Sequence, residues 1–210
     1  MRLTSKLHDD YGKFVVAEDI NPRGRIVKQY LHFDSIEEFL SMDNKTNHYY
    51  EVIDGVQRLY MDIDIPNNTR DFTEDVINVK DVIKSDYPNA IINIYSSHRE
   101  KKQSFHIIVK NIYVYDNVQC KYRIQQIVDK CPDEIKQFID MSIYSRYQLF
   151  RLMHSSKFDQ HNTKILIEGS ESFYDSLIGF HDGTPILPDL DIPYKIFDMR
   201  YYARKHIRNT

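Results

Sequence analysis

The stretch Arg58-Leu59-Tyr60-Met61-Asp62-Ile63-Asp64-Ile65 constrains this chain more than any other. It is an apolar run interrupted by two carboxylates spaced i, i+2. Side chains alternate across a β-strand, so Asp62 and Asp64 share one face with Tyr60. Leu59, Met61, Ile63 and Ile65 take the other face and can pack on helices. Two acids at the edge of a buried strand repel each other unless a cation or hydrogen-bond donors compensate. Hard oxygen ligands of this kind suit Mg²⁺ or Mn²⁺. A strand end with two solvated aspartates is the plainer alternative. Pro66-Asn67-Asn68 follows at once, placing the pair where strand becomes loop, the usual position of a site.

Two further stretches bear on that choice. Ile91 to Ser97, a charged connection at His98-Arg99-Glu100-Lys101, and Gln103 to Lys110 predict an antiparallel hairpin. On its return strand Lys102, Ser104 and His106 share a face, and an ammonium, a hydroxyl and an imidazole can all donate to a phosphate chain. The same row also suits the wet face of an antiparallel sheet. Farther on, Asp140 sits in the apolar run Phe138 to Tyr144, and Arg151 stands among apolar residues. A half-buried guanidinium is costly without an anion. Asp140 is thus either a third ligand, completing a two-metal site for phosphoryl transfer, or half of a structural Arg–Asp pair.

The rest of the chain frames these stretches. At 210 residues it can bury a sizeable core, as one large domain or two intimate modules. The expected organisation is a single core over 1–210, with an N-terminal module over about 1–47, a catalytic module over 48–167 and an extension over 168–210. Strands are expected at Lys13 to Ala17 and Ile26 to Phe33, around a turn at Asn21-Pro22-Arg23-Gly24-Arg25. A short helix capped by Asp34 or Ser35 should follow. Tyr49 to Ile53, the Asp54-Gly55 turn and Gln57 to Ile65 read as a β-hairpin. Helices are expected at Phe72 to Tyr87, with Val76, Val79 and Ile83 inward, at Val118 to Asp129, and after Pro132 from Asp133 to Phe138.

The formal net charge is −3, so bulk charge does not argue for a nucleic-acid partner, and a local basic patch would be needed. Cys120 and Cys131 lack zinc-ligand spacing and read as reduced structural thiols. The N-terminal residues lack an apolar signal core, and no stretch approaches a membrane span. An intracellular, reducing compartment with no membrane partner is therefore expected, and the sequons at Asn44 and Asn67 carry no weight.

Together the three stretches resemble the archaeo-eukaryotic primase superfamily, most closely its primase-polymerase (PrimPol) branch. The family's hhhDhD/E strand is matched by Leu59-Tyr60-Met61-Asp62-Ile63-Asp64, its S-x-H strand by Ser104-Phe105-His106, and its hD/E motif by Ile139-Asp140. His48 to Ile53 looks like the segment before the first motif. Ile143-Tyr144, Phe150-Arg151-Leu152 and Ser155-Ser156-Lys157 echo the family's later run. The Ser-Phe-His-Ile-Ile run also resembles the N-terminal regions of poxvirus-type primase-helicases. The likeness covers roughly Tyr49 to Phe158. Frequent Ile, Lys, Asn and Tyr with no Trp further suggests an A+T-rich coding sequence, as in some large DNA viruses or mobile elements.

This resemblance implies an α/β (α+β) fold. An RRM-like antiparallel catalytic sheet would sit beside an N-terminal α/β module, with the active site in the cleft between them. It implies a template-directed DNA primase/polymerase that makes or extends primers during DNA replication. Asp62, Asp64 and Asp140 would hold two Mg²⁺ or Mn²⁺ ions. Lys102, Ser104, His106, Arg151 and Lys157 would contact the triphosphate, and Tyr50 would lie near the incoming sugar and bias ribo- against deoxyribonucleotides. Partners would be a single-stranded DNA template, a primer strand, (d)NTPs, and a helicase domain or protein if the chain is a core cut from something longer. Arg23, Arg25, Lys28 and Arg146 are candidate template contacts, and the basic, aromatic run Arg200 to Arg208 would suit a single strand.

The chain departs from the family at Gln148, where close relatives carry an additional arginine, and with only two cysteines it lacks a zinc module. The competing functions are a repair or damage-tolerance polymerase that does not prime, and a catalytically inactive single-strand or origin-binding module.

Overall fold

The computed structural model describes residues 2–4, 14–42, 48–66 and 70–188. Of the expected features, the Asn67-Asn68 loop, the Asp43–Asn47 helix end and the basic run at 200–208 fall outside these residues.

Two antiparallel sheets organise the chain. The first contains β1 (Arg2–Thr4), β2 (Phe14–Ile20), β3 (Val27–Phe33), β4 (Tyr49–Ile53) and β8 (Gln148–Arg151), in the order β1-β3-β2-β4-β8. The second contains β5 (Gln57–Pro66), β6 (Ile92–Ser96), β7 (Lys102–Val114) and β9 (Ile165–Glu168), in the order β5-β7-β6-β9. Helices α1 (Ile36–Leu40), α2 (Thr73–Asp86), α3 (Asn117–Lys130) and α4 (Asp133–Lys136) lie between strands in the sequence. An antiparallel bridge between Ile63 and Ile139 adds one further rung to the free edge of β5. The run from β5 to Ile139 is therefore β-α-β-β-α-β, with spatial order Ile139-β5-β7-β6. That is the connectivity of an RRM-like sheet, and the mixed α+β class agrees with the sequence.

Sequence patterning explains most elements. Ser35 Oγ accepts from Glu38 N–H at 3.2 Å, while Glu38 Oε2 accepts from Asp34 N–H at 2.8 Å, a capping box that starts α1. Asp116 Oδ1 accepts from the amides of Val118 and Gln119 and starts α3. Val76, Val79 and Ile83 of α2 and Ile124, Ile127 and Val128 of α3 are buried against Leu59, Met61, Ile63 and Ile65. Each such aliphatic side chain, fully buried, contributes about 1.5–3 kcal/mol. A smaller core of Phe14, Phe33, Phe39, Tyr49 and Leu152 lies beneath the five-stranded sheet.

One expectation fails. Tyr49 to Ile65 is not a hairpin, because β4 and β5 belong to different sheets. Strand β4 pairs with β2 and β8, while β5 forms ten registered pairs with β7, so the longer non-local ladders outcompete the local one. The Asp54-Gly55 link does use a positive φ, 73° at Gly55, but it forms a corner between sheets. Helix α4 starts at Asp133 as expected, with Pro132 at its N-cap, and runs to Lys136. Among the described residues, no helix is long and apolar enough to cross a membrane.

Candidate active site

Strand register places the acids. Asp62 lies opposite His106, and Asp64 opposite Ser104, across the β5–β7 ladder. The bridge at Ile139 brings in the third acid. Asp140 N–H donates to Asp62 O at 2.9 Å, and Asp64 N–H donates to Phe138 O at 3.0 Å. Asp140 thus neighbours Asp62 on one side as His106 does on the other.

The three carboxyls differ in what they hold. Asp64 Oδ1 accepts from Ser104 Oγ at 2.7 Å, and its Oδ2 is 2.6 Å from Lys102 Nζ. Asp140 Oδ1 accepts from Ser142 N–H at 2.8 Å. Asp62 Oδ1 is buried without a hydrogen-bond partner, and the nearest imidazole nitrogen, His106 Nε2, stands 3.5 Å away. Burial, then repulsion from Asp64 and Asp140, pushes Asp62 up to about 7. His106 cannot supply the missing charge, because burial holds its pKa well below the ordinary histidine value, with Lys164 and Arg151 adding repulsion. Among the described residues, no three carboxyl, imidazole or thiol groups are gathered closely enough to hold an ion as they stand. The donor set nevertheless fits a hard divalent cation, since a buried, unpartnered carboxylate oxygen beside two more acids lacks positive charge.

This polar face is not the wet face of a sheet. Ser104 and His106 are both buried. The edge of the five-stranded sheet covers His106, with the Phe150 ring centroid 4.3 Å from that of His106 and 5.1 Å from that of Tyr60. Next to Phe150, Arg151 lies close enough to Asp62 and Asp64 for their charges to bear on it. Its Nη1 donates to Asn162 O at 3.1 Å, while its Nε is buried without a partner. Burial lowers the Arg151 pKa, with Tyr50, Asp62 and Asp64 acting the other way. Burial also lowers Lys157, and repulsion from Arg151, Lys102 and Arg99 adds to it. The site is therefore short of a cation at Asp62 and short of an anion a few residues away.

Tyr50 is the cross-strand neighbour of Arg151. Its hydroxyl donates to Asp19 Oδ2 at 2.8 Å, and Lys28 Nζ reaches Asp19 Oδ1 at 2.6 Å while lying 3.2 Å from the Tyr50 ring centroid. Lys28 also feels the charges of Lys157 and Arg151, so it borders the same site. Arg23 and Arg25 are exposed on the β2–β3 turn. Arg146 Nε donates to Asp54 Oδ1 at 3.1 Å, which ties Arg146 to the β4–β5 corner.

The structure adds residues that the sequence did not single out. Arg99, at the β6–β7 turn, contributes to the cationic side, and Asp19 anchors both Tyr50 and Lys28. Lys164 is fully buried beneath Phe150. The signal for Asp19 was its place in an apolar strand, and for Lys164 a lone charge before Ile165-Leu166-Ile167.

No protein-family model matches the chain. It is 26% identical over 171 residues to an African swine fever virus protein named "Putative helicase/primase complex protein", a match covering 69% of this chain. The match spans only 16% of the length of that viral protein.

Proposed function

We propose that this chain is the catalytic core of a template-directed DNA primase/polymerase, with residues 1–210 acting as one unit. The observation that carries the reading is the unpartnered Asp62 Oδ1, beside Asp64 and Asp140, with Lys102 and Arg151 near enough for their charges to act on it. A nucleoside triphosphate with divalent ions satisfies both deficits at once. The similarity to a viral helicase/primase complex protein supports a replication role and a helicase partner, and the resemblance at the three motifs supports the chemistry.

In this reading Asp62, Asp64 and Asp140 hold two Mg²⁺ or Mn²⁺ ions. Ions held there would supply Lewis-acid chemistry, lowering the pKa of a primer 3′-hydroxyl and offsetting phosphate charge. The chain's own side chains position the reactants. Arg151 offers a fork of N–H donors to phosphate oxygens, and Lys157 offers a point charge. Lys102 exchanges its contact with Asp64 for the phosphate chain, while Ser104 keeps Asp64 oriented. His106, held neutral, donates a single N–H without adding charge. Tyr50, held by Asp19 beside Arg151, borders the sugar. Template and primer strands complete the substrates, and the home is an intracellular, reducing compartment.

The decisive assay is nucleotide incorporation on single-stranded DNA, with and without primer, in Mg²⁺ and in Mn²⁺, beside Asp62→Ala. Product from unprimed template that disappears in the variant is the expected result. Extension from a primer alone would reduce the activity to that of a polymerase. DNA binding with no incorporation in either metal would sink the enzymatic reading in favour of a binding module.

A further inference from the structure

Lys164 is the buried ionisable group that the chemistry above leaves unused. It precedes β9 on the segment returning from β8, and its backbone is fixed in both directions. Its carbonyl accepts from His154 N–H, and its own N–H donates to Ser155 O, both at 2.8 Å. The side chain is fully buried. Nζ donates to the main-chain carbonyl of Arg151 at 2.9 Å and lies 4.6 Å from the Tyr95 ring centroid and 4.7 Å from that of Phe150. Among the described residues no carboxylate pairs with it. Glu51, whose carboxylate accepts from the amides of Ile178 and Gly179, and Asp62 favour its charge only from farther away.

A lone ammonium sealed between two aromatic rings is an expensive way to fill a core, and an apolar side chain of similar length would avoid the desolvation cost. Burial drives its pKa down to about 7. Its position suggests what it contributes. It grips the backbone of Arg151, whose guanidinium feels the charges of Asp62 and Asp64, and it supports Phe150, which packs on His106.

We propose that Lys164 is a positioning residue for the nucleotide's phosphate chain, locking the main chain of Arg151 and so the place from which its guanidinium meets that chain. This rests on the reading of the site as a nucleotidyltransferase. Lys164→Met keeps the stem and removes both charge and donor, while Lys164→Gln keeps a donor without charge. Both are compared with the unaltered chain in steady-state incorporation, in titration with a fluorescent deoxynucleoside triphosphate in Mn²⁺, and in thermal melting.

For Lys164→Met, the expected result is a nucleotide KM and Kd weakened roughly tenfold, with kcat little changed and the melting temperature unchanged or raised. Lys164→Gln should fall between it and the unaltered chain, and it decides alone if the Met variant does not fold. Unchanged KM and Kd in a folded variant overturn the proposal. So does a loss confined to kcat, or one that merely tracks a drop in melting temperature. If the unaltered chain binds nucleotide and the variants match it, only the role of Lys164 is lost. If it binds none, the reading of the site falls as well.

Discussion

The two sheets contribute opposite halves of the candidate site by different routes. The four-stranded sheet carries the acids, and each acid is placed by strand register: Asp62 and Asp64 two residues apart on β5, and Asp140 one rung outward through the Ile63–Ile139 bridge. The five-stranded sheet carries Tyr50 and Arg151 as cross-strand neighbours, with Lys157 following β8, while Lys102 and Arg99 add their charges from the β6–β7 end of the four-stranded sheet. Acids clustered by backbone geometry repel one another in the folded state, whereas the cations depend on sheet-on-sheet packing to be buried. The difference teaches where the molecule holds electrostatic strain: in the unpartnered Oδ1 of Asp62 on one sheet and the unpartnered Nε of Arg151 on the other.

The largest effect should come from the acidic side. Asp62→Asn is expected to lower incorporation on the order of a thousandfold, while the melting temperature without divalent ions holds or rises. Removing a buried charge that has no partner relieves repulsion. A variant that lost activity and stability together would make Asp62 a structural residue and dissolve the contrast between the sheets. On the basic side, Arg151→Met should lower kcat/KM roughly a hundredfold, the size expected when a bidentate phosphate contact is lost. Arg151→Lys should recover only part of it. Full recovery with lysine would mean that a point charge suffices and that the fork geometry is irrelevant.

How much of this was legible in the sequence follows from the same contrast. Period-2 alternation placed Asp62 and Asp64 on one face and Ser104 and His106 on another, and the structure pairs those residues directly. Helices α2 and α3 came from apolar periodicity, with Val76, Val79 and Ile83 buried as expected. The Asp54-Gly55 turn misled, since a local turn signal does not reveal that β4 and β5 each find longer ladders elsewhere. Asp19 and Lys28 were invisible as a pair because their contact depends on the β2–β3 register, in which they lie opposite each other. That Lys164 is buried could not be read locally either, because it takes Phe150 and Tyr95 from different sheets to enclose it.

Protonation offers a finer division. Asp62 is pushed up to about 7 from an ordinary 3.8. Below about pH 4 both folded and unfolded chains hold that proton. Between about 4 and 7 only the folded chain holds it, so stability falls as pH rises through this window, by up to about 1.4 kcal/mol per unit. Lys164, brought down to about 7 from 10.5, acts in the opposite window. Above 7 the unfolded chain keeps a proton that the folded one has lost, and stability recovers with rising pH. Urea melts without divalent ions should show the descent flattened in Asp62→Asn and the recovery flattened in Lys164→Met. Because a divalent ion competes with the Asp62 proton, Mn²⁺ affinity should rise up to about tenfold per unit from pH 5.5 to 7 and then level. An affinity flat across that range would remove Asp62 from the ligand set.

The smallest effect concerns the tyrosine at the meeting of the two halves. Tyr50 is held by its hydroxyl to Asp19 and lies under the Lys28 ammonium, so its ring is fixed beside Arg151 with little freedom. Tyr50→Phe removes one buried hydrogen bond and leaves Asp19 paired with Lys28, at an expected cost of about 1 kcal/mol measured by denaturant melts. If Tyr50 borders the sugar as proposed, Tyr50→His, which also shortens the ring, should shift the ratio of deoxyribo- to ribonucleotide incorporation a few fold in direct competition. The two variants separate scaffold from selection. If Tyr50→Phe alone reproduced the shift, selectivity would lie in the Asp19 anchor. If neither moved it, the tyrosine would belong to the sheet and not to the choice of sugar.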